Sequence, residues 1–133
     1  MPTAYERDDR RQLITVTVTE PYSVDDIFGV IDRQAAEDTW GYAMLYDLRA
    51  VTQPPTEADL RRIAARFKAA GGGRAPGPVG ISIGVRPALF RLGLLYAELT
   101  KELVTVEMLL TARQFADWLA RNAGVRRVAP KQP

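Results

Sequence analysis

The chain has 133 residues, 47% of them hydrophobic and 26% charged, a length and balance that suit one soluble domain burying roughly two thirds of its unfolded surface. It has no cysteine and no histidine, which excludes thiol chemistry, disulfides, the usual zinc sites and a serine–histidine triad, and leaves only carboxylate, lysine or backbone groups for catalysis. With 18 basic against 16 acidic side chains the formal net charge is +2, so no strong field steers polyanions toward the chain, and nucleic acid is not an expected partner.

The N-terminal M-P-T-A-Y-E-R-D-D-R has no apolar stretch of the kind a signal peptide needs, and no uncharged run of about 18 residues occurs anywhere. The expectation is a cytoplasmic protein with no integral membrane segment. Residues 4–6 and 13–20 are separated by the charged R-D-D-R-R-Q, and the second run, L-I-T-V-T-V-T-E, alternates large apolar residues with threonine. That alternation turns Leu13 or Ile14, Val16 and Val18 toward a core and Thr15, Thr17 and Thr19 away from it, so an opening β-hairpin is predicted. Pro21, which has no amide hydrogen for a ladder, ends it.

Ser23 opens S-V-D-D, a capping-box-like start that places Asp25 and Asp26 at the positive end of a helix dipole. A first helix to about Thr39 follows, with Ile27, Val30, Ile31 and Ala35 at helical spacing. Residues 42–48, Y-A-M-L-Y-D-L, are apolar but too short for a membrane helix, and read as a buried central strand with Asp47 and Arg49 at its end. Pro54 and Pro55 restrict the next loop, and Thr56 opens a second helix in which Leu60, Ile63, Ala64 and Phe67 follow the i, i+3, i+4, i+7 template. Its outer Arg61, Arg62, Arg66 and Lys68 form a solvated face, since no aromatic residues are interleaved with them. Gly71-Gly72-Gly73 stops the helix, and the linker on to Pro78 lacks the Gly-Lys-Ser/Thr of a phosphate-binding loop.

Residues 79–85, V-G-I-S-I-G-V, alternate β-branched residues with Gly80, Ser82 and Gly84. One face of that strand is nearly bare, which suits either a closely packed helix or a ligand near the backbone. Pro87 sits in the first turn of a third helix predicted over 87–103. Leu89, Gly93, Tyr96 and Thr100 share one side of it, while Leu94 and Leu95 fall outside the buried face. T-V-E-M-L-L over 105–110 is the last strand, and Thr111 caps a final helix carrying Phe115, Trp118 and Leu119. Residues 125–133 have no periodicity and are predicted to be a frayed basic tail. The order β-β-α-β-α-β-α-β-α predicts one α/β domain over residues 1–124, with a mixed, mostly parallel sheet of about five strands, an opening antiparallel hairpin and four helices.

On this element order, on L-Y-D-L-R at residues 45–49 and on F-A-D-W-L at residues 115–119, the chain resembles the SpoIIAA-like fold shared by STAS domains and the bacterial proteins called STAS/SEC14-like. The resemblance covers nearly the whole chain and implies a non-catalytic regulatory or protein-interaction domain. STAS domains of the anti-sigma-factor-antagonist type carry D-L-S-x-V-x-x-x-D-S after the central strand, with its last serine phosphorylated by a partner kinase. Asp47, Leu48 and Val51 match that stretch, Thr56 falls on the phospho-acceptor position, and Pro55 stands where the family has its second aspartate. Thr56 also suits an N-cap, and the two roles are compatible because a phosphate there would lie at a helix N-terminus.

Three groups of candidate site residues emerge. Thr56 is the candidate phospho-acceptor. Asp47, Arg49, Gly84 and Arg86 gather at the carboxyl edge of the sheet, where the two arginines could bind an anion near the amides opening the third helix; the alternative is that Asp47 and Arg49 cap loops or pair with neighbouring charges. Phe90, Leu94 and Leu95 are a candidate interface, because leucines left on a polar side favour another protein or a second copy of the chain. A self-associating interaction domain, with a homodimer as its simplest form, is the first functional reading. The second is a module that holds a small apolar or anionic ligand, lipids included, between the second and third helices. No metal, no cofactor and no catalytic residue is assigned, and the pairs Asp8-Asp9 and Asp25-Asp26 belong to a turn and to a helix's first turn.

Overall fold

A computed structural model describes residues 3–84 and 86–123. The opening hairpin pairs β1 (Thr3–Asp8) with β2 (Leu13–Val18), every residue of β1 having a partner, which is why that strand is longer than its short apolar stretch suggested. From β2 the chain advances one strand at a time in a single direction. Helix α1 (Val24–Ala36) leads to β3 (Ala43–Asp47), α2 (Glu57–Gly71) to β4 (Val79–Ser82), and α3 (Pro87–Thr100) to β5 (Val106–Leu109), after which α4 (Ala112–Asn122) ends the described chain. The sheet order is β1-β2-β3-β4-β5, antiparallel at the hairpin and parallel elsewhere, with β3 in the middle. The tail expected over 125–133 lies outside the described residues.

Right-handed crossovers that always step the same way lay their helices on one face of a sheet. Accordingly α1 packs on α2 and α2 on α3. The register sorts the strand side chains beneath them into rows: Ile14, Met44, Val79 and Val106 in one, Val16, Tyr46, Ile81 and Met108 in the next. These rows join Val30, Ile31, Leu60, Ile63, Phe67 and Leu89 from the helices in the larger core. The opposite face is covered by α4, whose Trp118 forms a second core with Leu13, Ala43, Leu45 and Leu109. Leu13 and Ile14 are therefore both buried, one on each side of β2.

The bare face of β4 is bare to admit that helix. A Cβ added at Gly80 would lie 2.8 Å from Trp118 Cε2, closer than real contacts allow. Helix signals held where the caps were clear: Thr56 Oγ1 accepts from the Asp59 amide at 3.0 Å, Gly72 follows α2 with φ 57°, and Thr111 exchanges capping bonds with Gln114. Several elements stop short of their predicted ends. Helix α1 ends at Ala36, not near Thr39, because Asp38 turns left-handed (φ 60°) and the Thr39 hydroxyl donates back to the Gln34 carbonyl at 3.2 Å. Helix α3 ends at Thr100, not Leu103, where the amides of Leu103 and Val104 both turn back to the Thr100 carbonyl.

The outer charges of α2 do more than meet solvent. Arg66 pairs with Asp32 of α1 through two hydrogen bonds, 2.6 and 3.1 Å, and lies over the Phe28 ring, tying the two helices together. On α3, Leu94 is 50% exposed, but Leu95 is a correction to the expectation: it packs against the larger core, completing with Leu92 and Tyr96 an i, i+3, i+4 row that widens the buried stripe. Phe90 is half-buried against the same core.

Two glycines give opposite expectations. Gly80→Val forces Trp118 out of its seat and should destabilise the domain by about 1–3 kcal/mol or more. Gly29 lies in α1 with nothing within 4 Å of an added Cβ, so Gly29→Ala should stabilise it by about 0.5–1 kcal/mol. Urea unfolding of both variants checks the pair.

Candidate functional site

The loop between β3 and α2 is clamped from two directions at the carboxyl edge of the sheet. The Glu20 carboxylate accepts from the amides of Thr52 (2.9 Å) and Gln53 (2.6 Å) and from the Thr52 hydroxyl (2.7 Å). Those bonds, the Gln53 amide foremost, hold its pKa below the usual carboxylate range. From the other side Arg86 donates to the carbonyl oxygens of Val51 and Arg49, and the Tyr22 hydroxyl donates to the Gln53 carbonyl at 2.9 Å. An irregular segment thus has its backbone groups satisfied by side chains.

This placement separates the candidate ligand residues. Asp47 receives both Arg49 Nε (2.9 Å) and a terminal guanidinium nitrogen (2.8 Å), and the Arg49 guanidinium lies 5.6 Å from the centre of the Phe115 ring of α4. The hydrogen bond from Arg49 is the main reason the Asp47 carboxyl sits below its ordinary pKa. Arg86 meets Arg49 only through the latter's backbone carbonyl, and Gly84, with φ 67°, supplies the turn between β4 and α3. Both guanidinium groups have partners within the chain. Thr56 is exposed at the N-terminus of α2, with its oxygen engaged as the cap.

Behind the clamped loop lies a cavity of about 100 Å³ between the sheet and α1, α2 and α3. Tyr46, Ile81 and Met108 form its floor, Val51 and Pro55 one wall, and Leu60, Leu92 and Tyr96 part of its roof. Gly93 lets α3 approach β5 there, because a Cβ on it would collide with the Met108 methyl. The lining is apolar except for three tyrosines and Asp59. Tyr46 and Tyr96 carry the chemistry. Burial raises the pKa of both, and neither has a hydrogen bond among the described residues to stabilise either form. They therefore remain neutral hydrogen-bond donors across the ordinary pH range.

Asp59 is a poor base, because Arg62 pairs with it and holds its carboxyl below the ordinary range. Nothing in the lining is a strong nucleophile. Among the described residues no cluster of acidic side chains could hold a metal ion, and no helix is long and apolar enough to cross a membrane. Sequence reasoning expected a ligand between the second and third helices as its second reading, but the residues it singled out, the rim arginines among them, are not in the cavity's lining. Its signal was present in Tyr46 and Tyr96, tyrosines on buried faces where phenylalanine would pack as well, and in Gly93 on the inner side of α3.

The Asp47–Arg49 pair sets an acid response. A carboxyl whose folded pKa is depressed contributes stability above its unfolded pKa of about 3.9 and loses it as pH falls through the folded value. Urea midpoints should drop as wild type is taken from about pH 5 to about pH 2, and Asp47→Asn should show a smaller drop. No known protein-family model and no curated protein matches this chain.

Proposed function

We propose that the domain is a non-catalytic binding module and that its site is the cavity beneath α1, α2 and α3, which takes a small, largely apolar molecule. The cavity itself supports the reading. Protein interiors pack to crystal density, and most voids hold no more than a water molecule. Here about 100 Å³ stays open at the carboxyl ends of the parallel strands, walled by a loop whose backbone Glu20 and Arg86 hold. A pocket of mostly apolar side chains with a few polar groups is the usual form of a small-molecule site. Native mass spectrometry of protein purified from its host should show a retained small molecule that is absent in Leu92→Trp, a variant that fills the roof. Wild-type protein that carries no adduct and shows no rise in melting temperature with host metabolite extract would remove the reading.

A second reading has its own observation. Leu94 is 50% exposed on α3, the helix at the open end of the helical layer, which packs chiefly on α2 and β5. That surface supports self-association in the manner of a STAS-type interaction domain. Thr56, next to Pro55 of the cavity wall, is where a phosphate would act on such a domain. Light scattering is expected to find a homodimer in wild type and a monomer in Leu94→Asp; a wild-type monomer at high concentration excludes this reading.

A further inference from the structure

The cavity has a chemical bias that its shape alone does not give. Among the described residues lining it there is no cation, and its one charged side chain, Asp59, is an anion. The nearby arginines are committed elsewhere, Arg49 to Asp47 and Arg86 to backbone carbonyls. A carboxylate or phosphate drawn into this space would lose its water and gain no counter-charge, which is costly in a low-dielectric interior. The polar groups that do face the cavity are hydroxyls. Tyr46 stands near the carboxyl end of the central strand and Tyr96 comes from α3, and both line the cavity. Neither hydroxyl has a protein partner among the described residues, so each is free to donate to an acceptor that enters the cavity.

Resting on the cavity as the binding site, we infer that it selects a neutral molecule with a hydrocarbon body and a carbonyl-type oxygen, which accepts hydrogen bonds from Tyr46 and Tyr96. Ketones, esters and lactones fit that description, and their ionised carboxylate counterparts do not. Tyr22 and Asp59 lie on the α1 and α2 side of the lining, and the Tyr22 hydroxyl is already spent on the Gln53 carbonyl. Tyr46 and Tyr96 are thus the available donors.

The test uses three ring compounds of matched size, cyclohexanone, cyclohexane and cyclohexanecarboxylate, titrated at neutral pH into protein labelled with ¹³C at its methionine methyls. Met108 lines the cavity and reports occupancy, while Met44 is buried outside it and serves as the internal control. Cyclohexanone and cyclohexane should both shift Met108, and the carboxylate should not. In Tyr46→Phe, and separately in Tyr96→Phe, the affinity for cyclohexanone relative to cyclohexane should fall about fivefold to tenfold, the worth of one hydrogen bond. Because the ratio to cyclohexane is taken within each variant, any change in the cavity itself cancels. If the ketone-to-hydrocarbon ratio is the same in wild type and both variants, or if the carboxylate binds more tightly than the ketone, the selectivity is overturned and the binding site stands. If no compound shifts Met108, both fall together.

Discussion

The arrangement of this domain depends on the constant direction in which its sheet is wound. Each crossover advances one strand the same way, and right-handed connection then leaves no choice of face for α1, α2 and α3. The other face would be open to water but for α4, and α4 can lie close only because β4 presents Gly80 to Trp118. One helix, seated where Trp118 meets Gly80, covers a face opposite three. The larger core, with three helices over five strands, is where space remains.

That space is bordered by polar groups at the rim of the sheet. The loop between β3 and α2 has little regular structure, yet its amides and carbonyls are taken up by Glu20, Arg86 and Tyr22, three side chains from outside the loop. Such bonds satisfy the backbone of an irregular loop and fix its path past the sheet. The cavity and the clamp are two aspects of one design. Arginine has a similar part elsewhere in the fold: Arg33 lies 4.0 Å from the centre of the Tyr5 ring and Arg66 lies over Phe28, so planar cations bridge α1 to β1 and α2 to α1.

Much of this was legible from side-chain periodicity. The 3.6-residue rhythm of Leu60, Ile63, Ala64 and Phe67 located α2, the two-residue rhythm of Val16 and Val18 located β2, and the alternation of strands and helices defined the mixed sheet with its middle strand. Ends of elements were less legible, because they are decided by single residues such as Asp38 and Thr100, through local turns that side-chain periodicity does not register. The least legible feature was the cavity. It arises from what neighbouring elements fail to fill, and no local pattern encodes a shortfall of volume among β3, β5 and α3. Pairing of Asp47 and Arg49 with neighbouring charges was one of the two readings the sequence offered, whereas the capture of Arg86 by loop carbonyls is visible only in the fold.

The two faces of the sheet are unevenly covered, by α4 on one side and by three helices on the other. Each covering is closely seated on a glycine, Trp118 of α4 against Gly80 and Gly93 of α3 against Met108, and α3 stands at the end of its layer with α2 as its helical neighbour. The same helix thus turns Gly93 and Tyr96 toward the cavity and Leu94 toward solvent. Interior lining and outer surface meet on a single helix.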